Sequence, residues 1–168
     1  EAVMVTFVES WAISLSYTFQ LYFDFSGYAD MAMGAAMLFN IKLPFNFDSP
    51  YKAVNIREFW RKWHMTLGRF FRDYVYIPLG GSQRRDTITY CNLLTTFFAV
   101  GLWHGADWNF AIWGLLHGAA MVAHRLWEKF NIFIHKTLAW VLTFNFINLT
   151  WVIFRAETWE DAWKILKA

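Results

Sequence analysis

The sequence predicts an all-α fold, a multi-pass integral membrane protein with interfacial amphipathic helices. Three observations predict it. The chain carries an apolar and aromatic excess, it contains apolar stretches of spanning length, and a basic, aromatic segment of helical periodicity lies between them. Hydrophobic residues make up 57% and aromatic residues 21% of 168, with 11 Trp, 7 Tyr and 18 Phe. Soluble domains average about 45–50% apolar, and a domain of this size has too little interior to cover so much aromatic surface. The apolar stretches are residues 3–23, with Glu9 as their one charge, residues 26–43, with Asp30 and Lys42, residues 93–123, with Asp107, His104 and His117, and residues 138–154, with none. A spanning helix needs about 20 mostly apolar residues.

In chain order, the first span is expected at 3–23 and the second at 26–43. The second carries Gly27, Met31, Gly34 and Ala35 at helical spacing, a narrow face that lets another helix approach. Asn46-Phe-Asp-Ser-Pro50 is turn chemistry. Asn55-Ile-Arg-Glu58 resembles a capping box and starts a helix at about residue 56. Phe59, Trp60, Trp63, Leu67, Phe70, Phe71 and Tyr74 form one face of it, and Arg57, Glu58, Arg61, Lys62, Arg69, Arg72 and Asp73 the other. A basic amphipathic helix over 56–76 suits a membrane interface. Pro78-Leu-Gly-Gly-Ser82 ends it. Residues 88–124 exceed one straight span and are short for two, so one broken helix or two are expected, with the break near Gly105. Residues 125–136 form a second basic loop, residues 138–154 the last span, and Thr158 caps a short tail with Trp159, Ala162, Trp163 and Leu166 inward.

Charge is uneven along this plan. Net charge is +2, yet residues 52–85 carry eight basic residues against Glu58 and Asp73. A basic loop between apolar segments reads as cytoplasmic. Interleaved Trp and Phe favour a membrane surface over nucleic acid, so no nucleic-acid partner is expected. The single cysteine, Cys91, excludes an intrachain disulfide and reads as a small apolar residue. The sequence opens on Glu1 with no signal segment, so residues 1–168 read as one membrane domain from the internal or C-terminal part of a longer chain.

The chemistry-bearing residues are histidines. His104 sits in the most apolar part of the chain, in Gly101-Leu-Trp-His-Gly-Ala-Asp-Trp108, where an ionisable group is costly and commonly functional. A neutral imidazole in a dry site suits general-base catalysis, and Gly101 and Gly105 would let a substrate approach the backbone. Bonding to a carbonyl as a packing residue is the equal alternative. His64 falls on the apolar stripe with Trp60, Leu67 and Phe71. It is therefore either a satisfied buried histidine or one that meets His104 across a packed interface. His117 is about 220° around an unbroken helix from His104. No histidine pair has the i, i+4 spacing of a helical metal site, so no metal is expected. Asp107, one turn past His104, is placed to orient it. Asp24 and Asp30 do not share a face and are expected to bond to backbone or arginine, and His135 to be solvated.

These motifs resemble a known family. Tyr22-Phe-Asp-Phe-Ser-Gly-Tyr-Ala-Asp30, Arg57-Glu-Phe-Trp-Arg-Lys-Trp-His64, Arg69-Phe-Phe-Arg-Asp-Tyr-Val-Tyr-Ile-Pro-Leu-Gly-Gly81, Gly101-Leu-Trp-His-Gly105, Trp113-Gly-Leu-Leu-His-Gly118 and Trp151-Val-Ile-Phe-Arg-Ala156 are similar to the membrane-bound O-acyltransferases. The Ile77-Pro-Leu-Gly-Gly81 run resembles the branch of the alginate O-acetyltransferase membrane subunit and its peptidoglycan-acetylating relatives. The resemblance implies a C-terminal portion of a many-helix fold with a tunnel through it. It implies a catalytic role for His104 and an important one for His64. Trp103, Asp107, Trp63, Arg69, Arg72 and Asp73 become candidates for the tunnel or for where a donor enters. It implies O-acetyl transfer from a cytoplasmic thioester, acetyl-CoA or an acyl carrier, toward an exported polysaccharide, with no tightly bound cofactor. The expected setting is the bacterial inner membrane, with the lipid bilayer and a periplasmic acetyltransferase as partners. A non-catalytic conduit or scaffold for a separate acetyltransferase is the competing reading, and a haem-bearing subunit a third.

Overall fold

The computed structural model describes residues 5–168, and among these the regular elements are helical. The start of the first expected span, residues 3–4, lies outside the described residues. Helix α1 (Phe7–Leu38) opens on a capping box: the Glu9 amide donates to Thr6 Oγ1 at 3.4 Å, and the Thr6 amide donates to Glu9 Oε2 at 2.9 Å. It is one 32-residue helix where two spans were expected. Asp24 and Ser26 do not interrupt it, because no proline intervenes and a lone Gly27 costs only about 1 kcal/mol in a helix. It ends five residues short of the expected 43, in a Schellman motif. Asn40 is left-handed (φ 57°), its amide donates to Met37 O, and the Ile41 amide donates to Ala36 O, both at 3.0 Å.

The expected interfacial helix over 56–76 is not continuous. It forms α2 (Ile56–Lys62), α3 (Met65–Phe71) and a π-type turn through Arg72–Tyr76, closed by the Ile77 amide on Arg72 O at 2.9 Å. The break falls at Trp63 and His64, where Trp63 is extended and His64 is left-handed at φ 41°. Asn55 caps α2 as its sequence predicts, accepting from the Glu58 amide at 2.8 Å, but Glu58 reaches back to the Val54 amide and not to that of Asn55.

Helices α4 (Asp86–His104) and α5 (Trp108–Phe130) form an antiparallel hairpin that turns at Gly105–Asp107. Its tightness is a glycine property. A Cβ on Gly101 would lie 2.3 Å from Phe110 O, and one on Gly114 2.3 Å from Phe97 O. Gly101 and Gly105 were expected to open the backbone to a substrate. Instead the Phe110 backbone fills the space at Gly101 and the Phe110 ring the space at Gly105. At the opposite end Asp86 pairs with Lys129 and, at 3.7 Å, with Arg125. Residues 125–130 are thus the last turn of α5 and not loop. The hairpin carries His104 about 28 Å from its charged end, at about 1.5 Å per residue over 19 residues.

Helix α6 (Lys136–Arg155) is, among the described residues, the one helix that is long and apolar enough to cross a membrane on its own. It meets α1 through buried polar groups: Thr18 Oγ1 donates to Asn148 Oδ1 at 2.7 Å, and Asn148 Nδ2 donates to Ser14 Oγ at 3.1 Å. Such bonds hold apolar helices together where the hydrophobic effect cannot, at about 0.6–2 kcal/mol each. The short α7 (Trp159–Lys167) is capped by Thr158, as expected. Ala162 is buried, but Trp159 and Trp163 are about half exposed and not inward. The centre of the bundle is aromatic, with Phe59, Trp63, Trp113 and Trp151 each at most 5% exposed.

Candidate active site

His104 is the last residue of α4, half-buried in an aromatic cage. Trp113 and Phe154 stand edge-on to its ring at centroid distances of 5.3 and 5.0 Å, and Trp103 closes a third side at 4.9 Å. None of the side-chain hydrogen bonds among the described residues reaches a His104 nitrogen, and neither nitrogen is a sealed, unpartnered atom. Both are free for a ligand. The expectation that Asp107 orients His104 is overturned. The helix ends at His104, so the two are not on successive turns. Asp107 is exposed, and its carboxylate caps α5 by accepting from the Asn109 amide at 3.1 Å.

His64 packs on Trp103, as His104 does. Its ring is 6.4 Å from that of Trp103 and 4.8 Å from that of Phe25 on α1. Trp103 is thus packed against both imidazoles. Placement on the stripe of a continuous helix was the wrong reason for suspecting His64. What carries its ring inward is the helix break. The interior setting is nonetheless real, and burial holds the His64 imidazole below its ordinary pKa, favouring the neutral form.

Sequence reasoning missed the residue that holds this corner. Asn46, read as turn chemistry, accepts at Oδ1 from the Thr66 amide at 3.2 Å and from the Thr66 hydroxyl at 2.6 Å, and it faces His64 Nδ1 at 3.2 Å. Its carbonyl accepts from the Met65 amide at 3.0 Å. No spacing rule links positions eighteen residues apart, so no sequence signal marks it.

A cavity of about 1070 Å³ is lined by residues of α2, α3, α4 and α5, and by neither His64 nor His104. Leu93, Thr96, Phe97 and Val100 of α4 form one wall, Trp60, Met65 and Gly68 another, and Arg57, Arg61, Arg69, Arg72 and Arg125 line it with charge. Val100 is one turn before His104, and Met65 follows His64. Arg57 is clamped in a two-pronged pair by Glu128 at 2.8 and 2.6 Å, and Arg72 is held by Asp73 at 2.7 Å. Among the described residues Arg61 and Arg69 have no carboxylate partner. Asp73 is therefore the exposed counter-ion of Arg72 and not a wall of the cavity. Trp63, expected at the tunnel, is instead core: it stacks on Phe59 at 5.6 Å and meets Trp151 at 5.1 Å.

His117 belongs to the core behind this site. Trp60 Nε1 donates to its Nδ1 at 3.2 Å, and its Nε2 lies 3.1 Å from Thr150 Oγ1. Of the remaining candidates, Asp24 and Asp30 are exposed on α1, and His135 caps α6 through the Thr137 amide at 3.3 Å.

The described residues thus form an all-helical bundle in which His104, with no hydrogen-bond partner among them, and His64 both pack on Trp103, near an arginine-lined cavity. The chain belongs to the membrane-bound O-acyltransferase family, whose pattern matches residues 1–158. It is 57% identical over 171 residues to the peptidoglycan O-acetyltransferase of Helicobacter pylori, covering 99% of this chain and 32% of that protein. It is 44% identical over 161 residues to the probable alginate O-acetylase AlgI of Azotobacter vinelandii, covering 95% and 32%. A teichoic acid D-alanyltransferase of Streptococcus thermophilus is 31% identical over 171 residues, covering 88% and 41%. The chain thus spans about a third of the length of the two O-acetyltransferases it matches.

Proposed function

We propose that the whole protein is a multi-pass O-acetyltransferase of the bacterial inner membrane, and that His104 is its general base. The observation that carries this is an unpartnered His104 one helical turn after Val100, a residue that lines the arginine-lined cavity. A cytoplasmic acetyl thioester, acetyl-CoA or an acyl carrier, enters the cavity. Phosphates on the carrier meet Arg61 and Arg69, whose charges are not already spent on carboxylates. A His104 nitrogen takes the proton of an acceptor hydroxyl as that oxygen attacks the thioester carbonyl. The tetrahedral intermediate expels the thiolate, which takes the proton back from the imidazolium. The products are an acetyl ester and a free thiol. His64 orients the reactants from its place on Trp103. The acetyl group passes outward to an exported polysaccharide, with a periplasmic acetyltransferase as partner. The peptidoglycan and alginate enzymes among the relatives support that acceptor class.

The test is transacetylation by the full-length protein. His104→Ala should abolish polymer acetylation while the protein still accumulates in the membrane. Retained acetylation would sink the mechanism and favour a conduit for a separate acetyltransferase, for which His104 is silent and Arg69 or Arg72 matters more.

A further inference from the structure

We infer that Asn46 is a positioning residue that fixes the tautomer of His64, leaving Nε2 as a hydrogen-bond acceptor aimed at a hydroxyl of the acyl acceptor. The argument starts with a backbone amide. The Thr66 N–H can only donate, so the side-chain atom of Asn46 that it meets must be the oxygen. A flipped amide would set N–H against N–H. The same oxygen stands 3.2 Å from His64 Nδ1, and two lone pairs at that distance would repel. Nδ1 therefore carries the proton and donates. The Thr66 hydroxyl does not change this. It is 2.6 Å from the Asn46 oxygen and 3.5 Å from Nδ1, so its proton goes to the oxygen.

With the proton on Nδ1, the neutral ring presents a lone pair at Nε2. No group among the described residues hydrogen-bonds that atom. Such a nitrogen cannot donate to a developing oxyanion, which separates His64 from charge stabilisation. It can accept from a hydroxyl, which is the group that attacks the thioester in the proposed reaction.

The backbone shows the same residue at work. Left-handed φ at a non-glycine costs about 1–3 kcal/mol and persists only where the surroundings impose it. Asn46 imposes it at His64, since its carbonyl and its side chain each accept one of the next two amides, those of Met65 and Thr66. One asparagine thus holds both the backbone turn and the ring.

This inference rests on the acyltransferase reading, and the test separates the two. Full-length wild type, His64→Gln, Asn46→Ala and Asn46→Asp are compared for transacetylation rate against pH and for KM of donor and acceptor. Asn46→Ala should slow transfer about 10- to 100-fold, the loss typical when a metal-bound imidazole loses its orienting partner, and leave the donor KM unchanged. Asn46→Asp keeps the acceptor oxygen, so it should restore most of the rate. Its charge beside His64 should move the acid limb of the rate profile to higher pH. The rings packed on His64, Phe25 of α1 and Trp103 of α4, carry no charge, and the nearby titratable group of α4 is His104, packed on the same Trp103, so a moved limb reports the new carboxylate. If Asn46→Ala does not accumulate in the membrane, Asn46→Asp alone decides. A wild-type rate and profile in Asn46→Ala, or an unmoved acid limb in Asn46→Asp, overturns the assignment. A fully active His64→Gln instead removes the role given to His64 in the proposed function.

Discussion

His104 and His117 share a wall. Trp113 stands 5.3 Å from one ring and 4.7 Å from the other, and both histidines lie in boxes of aromatic side chains. Composition does not tell the boxes apart, but hydrogen bonding does. At His117 the Trp60 N–H can only donate, so Nδ1 accepts and Nε2 carries the proton. That proton goes to Thr150 Oγ1, and the Thr150 hydroxyl goes on to Ile147 O at 2.8 Å. Every valence is spent inside the protein, and the ring is fully buried. At His104 none is spent, and the ring is half open. An imidazole whose nitrogens are satisfied is architecture, and one whose nitrogens are idle in an aromatic cage is available for chemistry. His64 stands between the two, with one nitrogen tied to Asn46 and one free.

The sharpest way to break this comparison is to exchange the consequences. His104→Ala should lower the transfer rate by about 10²–10⁴-fold, the range for a lost general base, with the thermal midpoint of the purified full-length protein preserved. Gly114→Ala should act in the opposite sense, through stability. Its Cβ has no space beside the Phe97 carbonyl, and overpacking of this kind costs about 1–3 kcal/mol or more. The thermal midpoint should fall, and the surviving folded protein should be closer to normal in specific activity than His104→Ala. His117→Leu should also destabilise. It leaves the half-buried Trp60 N–H without an acceptor, at about 1–3 kcal/mol, and thermal unfolding in detergent would read that loss. If His117→Leu instead removed activity at an unchanged midpoint, the division between the two cages would be wrong.

The smallest effect belongs to the charged end of the hairpin. A hydrogen bond from Lys129, with Arg125 nearby, holds the exposed Asp86 carboxyl below its usual range. A depressed carboxyl contributes stability above its unfolded value and loses it as pH falls through the folded value. Asp86→Asn should therefore lower the midpoint slightly at neutral pH and not at all in strong acid. Exposed pairs contribute little, so a large neutral-pH effect would show that this end is buried in the whole protein.

The sequence by itself determined the class: helices, a membrane setting, a basic segment flanked by apolar ones, and a family resemblance that includes two tryptophan–histidine blocks. Periodicity, composition and charge are local quantities and survive without a partner. It also placed the caps at Asn55 and Thr158, because a cap is settled within four residues. Only the tertiary structure decided the rest. It joined two expected spans into α1, since the Asp24–Ser26 interruption is a surface feature and not a break. It split the expected interfacial helix at His64, where Asn46 from a distant loop outbids helical continuity. It gave the space beside Gly101 to Phe110 and assigned Trp63 to the core. Which histidine keeps its nitrogens free depends on Trp60, Thr150 and Asn46, partners far away in sequence. Hydrogen bonds across such separations follow no spacing, so the fold alone distinguishes the histidine whose nitrogens are bonded from the one whose nitrogens are not.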